Sequence, residues 1–153
     1  MLFLKSISSL KNTIAFWFLY FVILSPMNAS AQIIQSYDVV IYGGTSAGVS
    51  AAIQCSRMGK KVILIEPTNR MGGLTTGGLG KTDIGNKQAI GGVSREFYQN
   101  IKRYYQKPEN WIWEKREDYK GVGYNTFEED AMWAFEPSVA LKVYQEMVKN
   151  ESN

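Results

Sequence analysis

A glycine-rich turn between an apolar run and a helical pattern dominates the segment VVIYGGTSAGVSAAIQCSRMGKKVILIE, residues 39–66. The run SYDVVIY, residues 36–42, is rich in β-branched residues and stops at a Gly pair, which predicts a buried strand. Residues 46–58 have helical spacing, and Gly59 follows where helices commonly end. KVILIE, residues 61–66, predicts a second buried strand. This order predicts a parallel, right-handed βαβ unit and therefore an α/β, Rossmann-like fold.

The turn GGTSAG has the spacing of a dinucleotide fingerprint, except that Thr45 stands where the second Gly is usual. Gly43 permits the sharp turn out of the strand, and Gly48 lets the helix lie close to it. The side chain of Thr45 must either point away from a bound pyrophosphate or add its hydroxyl to the phosphate contacts. At the predicted helix N-terminus, Ser46 and Ala47 supply free N–H groups and a partial positive charge for that pyrophosphate.

Glu66 ends the second predicted strand 23 residues after Gly43, close to the roughly 20 residues that the fingerprint requires. Its carboxylate can accept hydrogen bonds from the hydroxyls of an adenosine ribose, and it would repel a phosphate at the 2′ position. The segment therefore favours an adenine dinucleotide that lacks this phosphate. A doubly wound domain with a tight turn and no dinucleotide is the open alternative.

The segment after Pro67 is rich in glycine, because eight of the 14 glycines in the whole sequence lie from Gly72 to Gly92. Residues 67–94 have no hydrophobic period, which predicts a long loop without regular structure. Loops of this length in compact domains are usually functional or disordered, so a flexible surface loop is the alternative to a binding segment.

Two further helices are predicted beyond this loop, over residues 93–106 and residues 137–150. The faces expected to be apolar carry Phe97, Ile101 and Tyr104 in the first helix and Ala140, Val143, Tyr144 and Met147 in the second. The aromatic-rich stretch between them, residues 107–135, has no secure assignment. We expect its aromatic side chains in a core or an interface rather than against a sugar, because aromatic residues dominate buried area.

The segment EPTNRMGGLTTGGLGKTD, which starts at Glu66, resembles the FAD-dependent oxidoreductases, in particular the family that includes the flavin subunit of heterodisulfide reductases. In that resemblance DVVIYGGTSAG is the first fingerprint, and IGGVSREFY and WAFEPSVALKVYQEMV are later matching segments. The resemblance covers residues 37–148 and implies FAD as the cofactor. It implies that Glu66 meets the adenosine ribose, and that Arg70, Gly72 and Gly73 continue along the pyrophosphate towards the flavin.

The glycine-rich segment also favours FAD over NAD on physical grounds. An extended FAD needs backbone N–H groups beyond the first turn, and Gly lets the main chain approach a ligand closely. An NAD domain has less use for such a segment, and an NAD-dependent enzyme is kept as an alternative.

A single Cys and the lack of any His exclude several kinds of catalytic and metal site. Ser-His-Asp and Cys-His mechanisms have no base, and a zinc site or a four-Cys iron–sulfur cluster has too few ligands within this chain. Without a His there is no histidyl–flavin bond, so we expect non-covalent FAD. The sequence identifies no catalytic residue.

Residues 1–31 have the pattern of a secretory signal peptide. Lys5 and Lys11 precede an apolar run of 13 residues, 13–25, and the small residues ASA precede Gln32. Because a spanning helix needs about 20 apolar residues, we expect cleavage, no stable membrane span and export to the periplasm or the exterior. Loss of the two Lys lowers the net charge from +3 to +1, which gives no electrostatic reason to expect binding to nucleic acid.

We expect residues 37–150 to be the N-terminal part of an FAD-binding domain that is incomplete at its C-terminus. The predicted helices lead to no further strand, and a substrate domain is absent from this chain. The expected whole is an exported FAD-dependent oxidoreductase that acts on a small molecule and passes electrons to an acceptor that the sequence does not identify. A catalytically incompetent remnant, or an interaction module, is the alternative.

Overall fold

The computed structural model describes residues 16–18, 20, 34–81, 83–119 and 129–152. The chain divides into two units, Met1–Gln35 and Ser36–Asn153. In the first unit, residues 16–18 and 20 are helical and exposed, and the rings of Trp17 and Tyr20 meet edge to face at 5.8 Å. The rest of the predicted signal peptide lies outside the described residues. Within the described residues, every helix falls short of the length and apolar character that a bilayer crossing requires.

The second unit begins with the βαβ connection expected from the sequence. Its three elements are β1 (Val39–Tyr42), α1 (Ser46–Arg57) and β2 (Val62–Ile65). The two strands pair in parallel, with Val39 opposite Val62. Gly59 follows the end of α1 with a φ of +76°, a conformation that suits Gly at a helix C-terminus. The prediction of an α/β, Rossmann-like unit is confirmed.

The prediction that both strands are buried is wrong, because the residues of β1 and β2 are half-buried on one face of this sheet and largely exposed on the other. Val40 and Tyr42 are 62% and 77% exposed, and Ile65 is 39% exposed. Side chains alternate between the two faces of a strand, and α1 covers only the face that carries Ile41 and Leu64. Nothing in the described part of the chain packs over the other face, which explains the exposure.

The glycine-rich segment contains more regular structure than its sequence pattern predicts. The elements after β2 are α2 (Leu74–Gly77), a 3-10 turn (Lys87–Ala89), α3 (Gly92–Tyr105), a second 3-10 turn (Pro108–Asn110) and α4 (Pro137–Lys149). The side chain of Thr76 is fully buried, and its hydroxyl donates to the carbonyl oxygen of Met71 at 2.5 Å. The prediction of a loop without regular structure is therefore wrong for α2, where the buried Thr76 and its bond to Met71 accompany one helical turn.

Helices α3 and α4 supply most of the apolar core. In α3 every fourth residue is buried: Val93, Phe97, Ile101 and Tyr105. The stripe predicted for α4 is confirmed, and the ring of Tyr144 stacks on Phe97 with centroids 4.3 Å apart and planes 19° apart. Tyr105, rather than the predicted Tyr104, completes the buried row of α3, because a spacing of four residues keeps side chains on one side of the helix.

The aromatic-rich stretch joins this core only in part. Trp133 is fully buried, and its indole N–H donates to Oε2 of Glu129 at 2.7 Å. Trp111 is partly buried and donates its indole N–H to the carbonyl oxygen of Tyr105 at 2.8 Å. Trp113 is 84% exposed and makes no part of the core. Two aromatic residues of the stretch, Tyr124 and Phe127, lie outside the described residues.

An ion-pair cluster connects elements that are distant in sequence. The guanidinium of Arg57, at the end of α1, donates to both carboxylate oxygens of Glu96 in α3, at 2.5 and 3.0 Å. Its Nε donates to Glu151, just beyond α4, at 2.9 Å. Arg57 thereby lowers the pKa of the Glu96 carboxyl below its ordinary value. The cluster fixes α1, the helix on which the glycine turn depends, against the two later helices.

Candidate dinucleotide site

The first and last glycines of the GGTSAG turn are required by the backbone itself. Gly43 has a φ of +103°, and its N–H donates to the carbonyl oxygen of Ile65 at 2.8 Å, so the turn leaves β1 while still paired to β2. A Cβ atom on Gly48 would lie 2.1 Å from the carbonyl oxygen of Gly43. No side chain fits at that distance, and α1 can therefore start directly against the end of the strand.

Thr45 occupies a position where this turn does not need a glycine. Its φ of −63° and ψ of 170° are extended values that any residue adopts. Its Oγ1 accepts a hydrogen bond from the N–H of Gly48 at 3.1 Å, which makes Thr45 the N-cap of α1. The hydroxyl oxygen thus caps the helix, which explains how Thr replaces the usual Gly, and the hydroxyl proton is left for another acceptor. Whether Thr45 contacts a phosphate stays a prediction.

The N-terminus of α1 presents two open amides. The N–H of Val49 donates to the carbonyl oxygen of Thr45 at 2.8 Å, and the N–H of Gly48 is capped. The N–H groups of Ser46 and Ala47 donate to no acceptor in the part of the chain that the structure describes. Such groups, together with the partial positive charge of a helix N-terminus, can bind an anionic oxygen.

The second glycine segment lies directly against this turn. The N–H of Gly72 donates to the carbonyl oxygen of Gly44 at 2.6 Å. The hydroxyl of Ser46 donates to the carbonyl oxygen of Gly72 at 2.8 Å and lies 2.8 Å from Oγ1 of Thr75. Because the Ser46 proton is used on Gly72, Thr75 is the donor in the second contact. Three hydrogen bonds thus join the predicted turn and the predicted downstream segment into one surface.

Gly72 and Gly73 have backbones that exclude side chains for different reasons. Gly72 has a φ of +99°, and a Cβ there would lie 2.2 Å from Cγ2 of Thr76 and 2.9 Å from Cδ2 of Tyr144. Gly73 has a φ of +55° with a ψ of −132°, and its nearest neighbour would be Cα of Thr45 at 3.6 Å. Gly72 is therefore fixed by packing and conformation together, and Gly73 by conformation alone.

The carboxylate of Glu66 is held at three points. Oε2 accepts the N–H of Gly44 at 2.7 Å, and Oε1 accepts the N–H of Thr68 at 2.8 Å and its hydroxyl at 2.7 Å. The hydroxyl of Thr68, followed by the two amides, lowers the pKa of the Glu66 carboxyl below its ordinary value. A Cβ on Gly44 would lie only 2.9 Å from Oε2 of Glu66. The Glu66 side chain therefore occupies the space that a side chain at position 44 would need.

Arg70 lies at the edge of the same surface. Its Nη1 donates to the carbonyl oxygen of Thr76 at 2.6 Å, in the last turn of α2. A cation at a helix C-terminus interacts favourably with the carbonyl groups there. A contact between Arg70 and a phosphate would therefore use the donors of the guanidinium that this bond leaves over.

Sequence reasoning missed four residues that build this surface. Gly44 and Thr68 position the carboxylate, Thr75 joins the two glycine segments, and Tyr144 packs against Gly72. The doubled Gly and the hydroxyl two residues after Glu66 were signals that could have identified the first two. The contacts of Thr75 and Tyr144 depend on packing between distant parts of the chain and have no local signature.

Comparison with known proteins places this chain in a family. A family model described as FAD dependent oxidoreductase matches residues 38–153. A solved structure, 3-ketosteroid-delta4-(5alpha)-dehydrogenase from Rhodococcus jostii RHA1 in complex with 4-androstene-3,17-dione, is 18% identical to this chain with a TM-score of 0.42. The match covers 82% of this chain and 38% of that one. The family match decides between the two cofactors in favour of FAD, and the chain belongs to the family of FAD-dependent oxidoreductases.

Proposed function

We propose that this chain is the N-terminal part of an exported FAD-dependent oxidoreductase and that its two glycine segments hold the pyrophosphate of non-covalent FAD. The observation that carries the proposal is the hydrogen bond from Gly72 to Gly44, which brings the second segment against the open amides of α1. A diphosphate is long enough to contact both segments only if they lie side by side, as they do here.

The residues present fit an adenine dinucleotide. The amides of Ser46 and Ala47 face outward from a helix of 12 residues and have no acceptor among the described residues. Gly73 is exposed beside those amides and has a positive φ, so its main chain is accessible there. Gly72 is buried, and its N–H and carbonyl groups are bonded to Gly44 and Ser46, so it fixes the second segment in place. The ionised carboxylate of Glu66, fixed at the end of β2, has acceptor capacity for a ribose hydroxyl.

Each part of the chain has a separate role in this proposal. Ser46 and Ala47 donate to phosphate oxygens, and Glu66 orients the adenosine. Gly73 allows the main chain to approach the phosphates, and Gly72 holds that segment against the turn. Arg70 contributes positive charge near the phosphates while it remains bonded to α2. FAD, when bound, supplies the hydride-accepting chemistry, and the protein supplies binding and orientation. The substrate, a small molecule, and the electron acceptor are left to residues outside this surface.

Export forms a separate part of the proposal and rests on the sequence pattern of residues 1–31. Expression with that segment intact should yield a mature protein that begins at Gln32 and is found in the periplasm or the medium. N-terminal sequencing of the recovered protein tests this. An intact Met1 in membrane or cytosol fractions would refute cleavage without affecting the cofactor proposal.

A matched pair of variants at the first position of α1 tests the proposed contact with FAD. Ser46→Ala removes the hydroxyl but keeps the amide, and Ser46→Pro removes both. Pro is well tolerated at the first helical position, where its missing N–H leaves no helix bond unmade. The residue before it, Thr45, already has the extended conformation that a following Pro requires.

FAD affinity is measured by titration, with circular dichroism to verify the fold of both variants. We expect Ser46→Pro to bind FAD roughly tenfold more weakly than Ser46→Ala, because a hydrogen bond to a charged phosphate is lost. Equal FAD affinities of the two variants would show that the Ser46 amide does not contact FAD. A folded wild-type chain that binds no FAD would favour the remnant or interaction module, and stronger thermal stabilisation by NAD than by FAD would overturn the choice of cofactor.

A further inference from the structure

The carboxylate of Glu66 has little hydrogen-bonding capacity left for a ligand. An ionised carboxylate has about four acceptor positions. Three are occupied, by the N–H of Gly44 at 2.7 Å and by the N–H and hydroxyl of Thr68 at 2.8 and 2.7 Å. One position therefore remains, although an adenosine ribose presents two neighbouring hydroxyl groups.

The hydroxyl proton of Thr68 has two acceptors within reach. Oγ1 of Thr68 lies 2.7 Å from Oε1 of Glu66 and 3.1 Å from the carbonyl oxygen of Arg70. The carboxylate is the nearer and the charged acceptor, and charge-assisted hydrogen bonds are the stronger ones. The N–H of Arg70 also donates to Oγ1 of Thr68 at 3.2 Å, which fixes the hydroxyl oxygen in place. The Thr68 hydroxyl therefore donates to Oε1 of Glu66 and occupies the third acceptor position of the carboxylate.

We propose that Thr68 is a specificity-determining residue, which restricts Glu66 to a single ribose hydroxyl of the adenosine half of the dinucleotide. This inference rests on the proposed function, because it concerns how the same site selects its ligand. The lowered pKa of the Glu66 carboxyl agrees with the geometry, since donors to the ionised form stabilise it.

Thr68 could instead serve only to stabilise the turn after Pro67, and the two roles predict different effects of removing its hydroxyl. If its hydroxyl only stabilised the turn, its removal would weaken every nucleotide equally. If it sets the number of open acceptor positions, its removal changes the ratio between nucleotides that differ by one ribose hydroxyl. That ratio is the property to measure.

The experiment compares three nucleotides on three forms of the chain. The probes are ADP, 2′-deoxy-ADP and 3′-deoxy-ADP, and the affinity of each is measured by its displacement of FAD. The proteins are the wild-type chain, Thr68→Ala, which frees one acceptor position, and Thr68→Ser, which keeps the hydroxyl. Inorganic pyrophosphate, which lacks a ribose, is the control ligand and should bind all three proteins equally.

In the wild-type chain we expect one deoxy analogue to match ADP within about twofold and the other to bind roughly tenfold more weakly, because one hydrogen bond to a charged group is lost. Thr68→Ser should keep this asymmetry. In Thr68→Ala both analogues should bind roughly tenfold more weakly than ADP, because both ribose hydroxyls then have an acceptor.

Other outcomes overturn the inference. A wild-type chain that loses affinity equally with both analogues would show that Glu66 accepts two hydroxyls in spite of Thr68. Asymmetry that persists in Thr68→Ala would assign the selection to another residue. In either case FAD still binds and the proposed function stands, whereas a wild-type chain that binds neither FAD nor ADP would refute both.

Discussion

Gly72 donates its N–H to the carbonyl oxygen of Gly44 at 2.6 Å, and Gly44 donates its own N–H to Glu66 at 2.7 Å. One residue of the first turn therefore connects the carboxylate at the end of β2 with a glycine segment that follows it in the chain. In the proposed site, these are the surfaces for the ribose and for the pyrophosphate. A disturbance at either end should be transmitted to the other through Gly44.

Substitution of Gly72 tests whether the contact between the two glycine segments requires a residue without a side chain at this position. Gly72→Ala should lower the free energy of unfolding by about 2–4 kcal/mol, because it combines a strained positive φ with a contact of 2.2 Å to the buried Thr76. Gly77→Ala is the matched control: Gly77 has no positive φ, and a Cβ there meets nothing within 4 Å. Chemical denaturation of both variants gives the difference, and equal stabilities would contradict the packing described for Gly72.

The N-cap at Thr45 makes a prediction that separates stability from cofactor binding. Thr45→Val should lower the stability by about 1 kcal/mol, because the N–H of Gly48 loses its acceptor. Thr45→Ser keeps the hydroxyl and should match the wild type. The freed N–H of Gly48 adds a donor at the helix N-terminus, so FAD affinity should not fall in Thr45→Val. A loss of affinity larger in Thr45→Val than in Thr45→Ser would indicate that the hydroxyl contacts the phosphates after all.

The parts of this molecule that the sequence predicted are those set by local constraints. The spacing of apolar residues within each segment predicts β1, α1 and β2. Gly43 and Gly48 act within the single turn that joins β1 to α1. The apolar stripe of α4 is likewise a property of a single helix. Each of these features depends on spacing within about one or two turns of chain, and spacing can be read directly from a sequence.

The features that the sequence did not predict depend on contacts between distant residues. The one-turn helix α2 forms around the buried Thr76, and Tyr144 packs against Gly72, which lies 72 residues before it. The open face of the sheet, with Tyr42 exposed, depends on what packs over the strands rather than on the strands themselves. An apolar run alone predicts burial but does not identify the element that provides it.

The ionisation of Glu66 predicts a pH dependence for nucleotide binding. Its pKa is lowered in the folded chain, with the Thr68 hydroxyl as the largest cause. A carboxyl with a depressed pKa contributes its stabilisation above the unfolded pKa and loses it as the pH falls through the folded value. FAD, unlike ADP, has no terminal phosphate that titrates near neutral pH, so FAD affinity should be constant there and decline only in acid. In Thr68→Ala the decline should begin at a higher pH.

Carbon-13 NMR of the Glu66 carboxyl measures this shift directly, in the absence of nucleotide. Thr68→Ser provides the control, because its hydroxyl can still donate to Oε1. A wild-type pKa at or above the ordinary value for Glu would contradict the three hydrogen bonds to this carboxylate.

Tyr105 connects α3 to the start of α4 by a pair of hydrogen bonds. Its hydroxyl donates to Oε2 of Glu136 at 2.8 Å and accepts the N–H of Glu136 at 3.1 Å. Tyr105→Phe should therefore lower the stability by about 1–2 kcal/mol, because that N–H and the carboxylate lose a partner. Tyr104→Phe is the neighbouring control, since the contact of its ring with Lys142, at 5.0 Å, needs no hydroxyl.

The same residue predicts a difference between the two variants in alkali. Burial raises the pKa of Tyr105 well above its ordinary value, so the folded chain retains a proton that the unfolded chain releases near pH 10, roughly the ordinary pKa of Tyr. The stabilisation from Tyr105 is complete below that pH and declines as the pH rises further. Denaturation across this range should show the decline in the wild type and in Tyr104→Phe, and a smaller decline in Tyr105→Phe. Identical alkaline profiles for all three proteins would mean that the Tyr105 hydroxyl is exposed to solvent.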